Sequence, residues 1–153
     1  MTNDQQTADS VAEIKLGRSI QVRLVSDLKQ SQAYYRDVLG CKVDDWGHAE
    51  RGEMLFILQQ AASHQDIKPN AVAQKRMNYP TDWEGPDHGW DSFIHISWEE
   101  LDLFVEEVRS KGGKIVEEPF MGIHGNWEFK NAIISDLDGY HLVLGAMRPN
   151  DAG

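Results

Sequence analysis

The sequence predicts an α+β domain built from two copies of one βαβββ unit. Three observations carry that reading: an internal repeat, helical periodicity between β-branched runs in each copy, and a turn-rich strand pattern after each helix. Two stretches align at one constant offset, with Asp27-Leu28 on Glu100-Leu101, Gly40 on Gly113, Val43 on Val116 and Asp44-Asp45 on Glu117-Glu118. Such regularity over more than a helix length is the mark of a duplicated supersecondary unit.

In the first copy, Ile20 to Val25 is apolar and β-branched, as a strand requires. A helix begins at Ser26 or Asp27. Leu28, Ser31, Tyr35, Val38 and Leu39 recur on one face at helical period, and Gly40 stops it. Cys41 to Trp46 opens the next strand. In the second copy the strand is Phe93 to Ser97, and Ser97 with Glu100 forms an S-x-x-E capping box that satisfies two backbone donors. Leu101, Phe104, Val105 and Val108 make the buried stripe, and Lys111-Gly112-Gly113 closes the helix. Lys114 to Glu118 follows as a strand that Pro119 ends.

Each copy continues into further strand. His48 to Gln60 reads as a hairpin about Arg51-Gly52. Trp127 to Ser135 and His141 to Ala146 read as another, turning through Asp136-Leu137-Asp138-Gly139. The expected organisation is a tail over residues 1–13, one domain over 14–146, and a second tail over 147–153. Within the domain, module one spans 18–60, a connecting loop 61–91 and module two 92–146. That loop is long for a compact domain, and loops of that length often cover binding sites. It carries Tyr79-Pro80, Trp83, Gly85-Pro86, Gly89 and Trp90, and a short helix is expected near Asn70 to Arg76.

Composition narrows the function classes. The chain has 153 residues, enough for one sizeable core, and its hydrophobic content of 41% is globular. No apolar run is long enough to span a membrane. The first residues lack a basic region and an apolar stretch, so no signal peptide is expected. One cysteine, Cys41, allows no intrachain disulfide, and a cytoplasmic location is expected. A net charge of −10 argues against nucleic acid as a partner, because phosphate binding calls for a basic face.

Three motifs carry a family resemblance. Val25-Ser26-Asp27-Leu28 followed by Tyr34-Tyr35-Arg36-Asp37-Val38-Leu39-Gly40 is similar to the first-module signature of the vicinal oxygen chelate superfamily. That superfamily comprises the glyoxalases, bleomycin-resistance proteins and extradiol dioxygenases. Asp136-Leu137-Asp138-Gly139-Tyr140-His141-Leu142-Val143-Leu144 resembles its closing strand, with Leu137 where proline is usual. The resemblance spans roughly Arg18 to Ala146. It implies two βαβββ modules whose eight strands curl into an open barrel-like cleft. In catalytic members, His, Gln or Glu on the first and last strands of each module bind a divalent metal there.

Carried over by position, those ligand sites fall on Ile20, Ile57, Phe93 and Val143, none of which offers a donor to a divalent ion. No metal ligand and no cofactor are therefore expected. His95 and His141 lie two residues from Phe93 and Val143, on the same side of their strands by alternation. They are the candidates for acid–base work, against the plainer reading of hydrogen-bonded histidines. His48, His88 and His124 fall in loop or edge contexts. Trp98, beside the capping box, reads as core or staple. Trp46, Trp83, Trp90 and Trp127 are ordinary packing or the walls of a pocket that stacks on a flat or cationic ligand.

The expected function is binding of a small aromatic or cationic molecule in an apolar cleft, without metal, as in the bleomycin-resistance branch. The expected ligand-binding residues are Trp46, Ile57, Trp90, Phe93, His95, Trp127 and His141, and the expected assembly is a homodimer. The alternative is a lyase, isomerase or dioxygenase holding a divalent metal through rearranged ligands, with His95, His141 and Glu53 as candidates.

Overall fold

A computed structural model describes residues 13–70 and 90–151. Tyr79-Pro80, Trp83, Gly85-Pro86, His88, Gly89 and nearly all of the helix expected near Asn70 to Arg76 lie outside the described residues. The first module contains β1 (Gln21–Val25), α1 (Leu28–Asp37), β2 (Lys42–Val43), β3 (His48–Arg51) and β4 (Met54–Gln60). The second contains β5 (Ser92–His95), α2 (Trp98–Ser110), β6 (Lys114–His124), β7 (Trp127–Ser135) and β8 (His141–Pro149). The sheets repeat one order, β1-β4-β3-β2 and β5-β8-β7-β6. In each, the first and last strands of the module pair in parallel and the remaining neighbours antiparallel. The fold is therefore the α+β duplicated βαβββ architecture, as two four-stranded sheets that do not close into one barrel.

The helix ends follow local chemistry. Asp27 caps α1, its carboxylate accepting from the Gln30 backbone N–H at 3.0 Å. After α1 the chain turns at Gly40 with φ +74°, a region that favours glycine. Ser97 caps α2 by accepting from the Glu100 N–H at 3.2 Å. The Glu100 carboxylate takes the Ser97 hydroxyl at 2.8 Å instead of the Ser97 backbone N–H. The box thus satisfies one backbone donor, where two were expected. Trp98, the first residue of α2, lies between the Lys130 ammonium and the Arg148 guanidinium, 4.8 and 3.8 Å from its ring.

Three strand boundaries differ from the sequence expectation. The strand expected from Cys41 to Trp46 is only Lys42–Val43. Pro119 does not end β6: the strand runs on to His124, and its pairing with β7 shifts register on either side of Glu117. β6 is the sheet edge, and Pro119 falls between the paired Glu117 and Phe120, where the ladder is already interrupted and its missing N–H costs no bond. β8 continues past Ala146 to Pro149 because β7 offers partners as far as Trp127, so part of the expected 147–153 tail is strand.

Both modules contribute to one core. Val25, Tyr35, Leu39, Phe56 and Leu58 from the first meet Leu101, Val105, Val108, Ile134 and Leu142 from the second. Polar groups cross the same boundary. Arg23, only 5% exposed, donates to Gln21 Oε1 at 2.8 Å, to Tyr35 Oη at 3.4 Å and to Ser92 Oγ. Its guanidinium also stacks 4.5 Å from the Phe56 ring and 5.0 Å from the Tyr140 ring. Tyr35 Oη donates to Asp136 Oδ2 at 2.7 Å, Tyr34 Oη to the Ser135 carbonyl and Tyr140 Oη to the Leu24 carbonyl, each also at 2.7 Å.

Burial pushes the Tyr35 hydroxyl well above its ordinary value, with the neighbouring Asp136 carboxylate adding to the shift. Burial likewise holds the Asp136 carboxyl above its ordinary value, against donation from Tyr35 and the Tyr140 and Asp138 backbone N–H groups.

Arg23→Ala should lower stability by about 3–5 kcal/mol in urea denaturation, the loss typical of a broken buried charged network. Arg23→Met, which keeps an apolar stem between Phe56 and Tyr140, should lose less. A raised Asp136 value means that the folded protein keeps a proton the unfolded chain has released. This group's contribution to stability is therefore full below the ordinary carboxylate value and declines as pH rises through the folded one. The stability difference between wild type and Asp136→Asn should shrink with rising pH over that window. A difference independent of pH would show that burial does not govern this carboxyl.

Candidate functional site

Strand alternation separates a core face from an outer face on both sheets. Ser92 and Ile94 of β5 face the core, and Phe93 and His95 face outward. The parallel ladder pairs Phe93 with Val143 and His95 with Gly145. His141 and Val143 of β8 therefore share the outer face with Phe93 and His95. On the first sheet, Val22 and Leu24 of β1 and Ile57 of β4 take the corresponding face, with Val22 paired to Ile57.

An aromatic row lies on the second sheet. The Trp90 ring sits 5.4 Å from Phe93, tilted by 35°, and His95 meets Phe93 edge-on at 5.2 Å. The tip of the Phe93 ring points at Gly145, where a methyl group would overlap it. Asp91 anchors the approach to β5: its carboxylate accepts from the His141 N–H at 2.8 Å and the Asn70 N–H at 2.7 Å. The Asn70 amide donates to the Trp90 carbonyl at 2.8 Å. The indole N–H of Trp90 is buried and has no hydrogen-bond partner among the described residues.

The other expected site residues scatter. Trp46 is 82% exposed in the turn between β2 and β3, at the far edge of the first sheet. Trp127 has the outer-face parity of Ile133 but stands at the opposite end of β7, on the order of 20 Å away at strand rise. Glu53 lies in the β3–β4 turn, where it and His95 border a separate cavity that His141 does not reach. His48 is held by Asp44 at 2.8 Å.

The equivalent of Phe93 in the first module also moves. The constant offset puts Ile20 there, but Ile20 precedes β1, and the ladder makes Val22 the partner of Ile57 as Phe93 is of Val143. α2 has 13 residues and α1 has 10, so the offset that holds after the helices does not hold before them. Sequence reasoning missed Val22 and Leu24 as part of the outer face. The alternation of Val22, Arg23, Leu24 and Val25 held the signal.

Ile20 or Val22, Ile57, Phe93 and Val143 supply hydrocarbon only. Among the described residues no three His, Cys, Asp or Glu side chains gather closely enough to hold an ion. The residues present do not fit a resident divalent metal at those positions.

The family model of the Glyoxalase/Bleomycin resistance protein/Dioxygenase superfamily matches residues 19–144, and the chain belongs to that superfamily. A Synechocystis sp. (strain ATCC 27184 / PCC 6803 / Kazusa) protein described as a probable lactoylglutathione lyase is 29% identical over 120 residues. The match covers 78% of this chain and 87% of that protein. A glyoxalase/bleomycin resistance protein/dioxygenase from Nocardioides superposes with a TM-score of 0.58 at 16% identity, covering 100% of this chain and 96% of its own. One from Alicyclobacillus acidocaldarius superposes at 0.61 with 12% identity, covering 85% and 90%. These two structural likenesses establish the fold. Among the described residues no helix is long and apolar enough to cross a membrane.

Gly145→Ala should displace the Phe93 ring and cost about 1–3 kcal/mol, as overpacking does. The test is thermal unfolding together with tryptophan emission, which should shift as Trp90 loses its stacking partner.

Proposed function

We propose that this protein binds a small aromatic or cationic molecule on its outer sheet faces, without a metal. The observation that carries this is the replacement of metal donors by an aromatic–apolar surface. Phe93 is 41% exposed between Trp90 and His95, and Val22 is 56% exposed on the other sheet. A ring stacked on Phe93 gains dispersion and quadrupole attraction, and a cation adds attraction to the ring faces. The net charge of −10 favours a cationic ligand over an anionic one. His95 and His141 supply polar contacts at the same face. Sequestration needs only this binding energy.

The proposed assembly is a homodimer. Both sheets commit their other faces to one shared core, leaving Ile20, Val22, Leu24 and Phe93 to solvent. A second copy that lays its first sheet over this second sheet would enclose a cleft from both apolar faces, and closed twofold pairs are the commonest oligomers. The proposed location is the cytoplasm, in keeping with a single, buried, reduced Cys41.

The name of the Synechocystis relative supports the second reading, a metal-dependent lyase, isomerase or dioxygenase. On this chain that chemistry would need His95, His141 and Glu53 to converge, and Glu53 borders a cavity apart from His141.

Titration with the planar aromatic cation ethidium should quench tryptophan emission saturably. Trp90→Ala and Phe93→Ala should each weaken binding by about 1–3 kcal/mol. Light scattering should give twice 17.4 kDa, and elemental analysis of fresh protein no stoichiometric transition metal. One equivalent of metal held through side chains would overturn the reading and favour the enzyme.

A further inference from the structure

We infer that the seam between the modules holds a second binding site, for a small organic cation with an apolar body. A cavity of about 580 Å³ opens between the β3–β4 turn and α2, within the range that accommodates a small ligand. Met54, Ile96, Phe104 and Leu144 give it an apolar lining. Leu103 stands at its border with 69% of its surface exposed, an apolar side chain that a ligand's body would cover.

The charged groups around it are unbalanced. Glu107 is met by Arg51 at 2.5 Å and by Lys111 at 3.6 Å, and Arg51 also stacks 4.9 Å from the Phe104 ring. Arg18 donates to the Glu53 carbonyl and pairs with Glu50 at 3.7 Å, so its charge is taken up outside the cavity. Two carboxylates remain. Among the described residues, the Glu100 carboxylate accepts only the Ser97 hydroxyl, and Glu53 has no ion pair. An apolar chamber bordered by two carboxylates without a cation partner suits an ammonium group on a hydrocarbon stem. It repels a carboxylate on the same stem. The cavity touches the outer-face aromatic row only at His95, which borders both, and the proposal does not rest on the function proposed for that row.

Amide spectra of the full chain titrated with hexyltrimethylammonium test this, with hexanoate as the anionic control. Saturable shifts are expected at Met54, Ile96, Leu103 and Phe104, with no matching response to hexanoate. Glu53→Gln and Glu100→Gln should each weaken binding roughly two- to fivefold. Glu100→Gln retains the capping interaction, since glutamine serves in that position. Leu103→Trp, at an exposed position, should fill the mouth and abolish the shifts while leaving the rest of the spectrum folded. Equal response to hexanoate, affinity unchanged by both glutamine variants, or no saturable response would overturn the proposal. Shifts confined to Trp90 and Phe93 would also overturn it, and would leave the outer-face reading intact.

Discussion

Arg23 is a cation on the core face of a strand, where a hydrocarbon side chain would ordinarily stand. Its burial is tolerable because Phe56 and Tyr140 supply ring faces, Gln21 and Ser92 supply oxygens, and Tyr35 links it to the Asp136 carboxyl. Removing any partner would leave a buried polar atom unmet, so the constraint is collective. The partners come from β1, α1, β4 and β5 and from the turn that enters β8. The network therefore fixes how one module sits against the other.

That placement decides the character of the outer faces. Because the modules meet through their core faces, the opposite sides of β1 and β5 are left uncovered by the described residues. Alternation then makes the site: each step that points Arg23 or Ile94 inward points Val22 or Phe93 outward. Gly145 completes it, since the absence of a side chain there leaves room for the tip of the Phe93 ring, which meets Trp90 and His95. The positions that the family resemblance assigns to metal ligands fall on this same face, and the side chains there are hydrocarbon.

Much of this was legible in the residues. The duplication, both helices with their caps, both hairpins and the outward phase of Phe93, His95, His141 and Val143 follow from local periodicity and turn chemistry, which need no knowledge of distant contacts. The lack of metal donors was equally plain, because it depends on residue identity. Less legible was the alignment of the two first strands. One constant offset, which sets Asp27-Leu28 on Glu100-Leu101, cannot register the strands before the helices, because α2 is longer than α1 and its cap is Ser97.

What the sequence by itself determined is therefore local: element type, face and chemistry. What only the tertiary structure decided is assembly. Trp46, Trp90 and Trp127 look alike as exposed aromatics near strand ends, yet only Trp90 is held against Phe93, by Asp91 and Asn70 bonds across sequence-distant segments. Pro119 reads as a strand terminator until its strand proves to be an edge with a shifting register. Nothing local in the Ile20 to Val25 run marks Arg23 as the centre of a buried network; four other elements close around it. In each case the deciding partner is remote in the chain, and periodicity carries no information about which distant surface a face will meet.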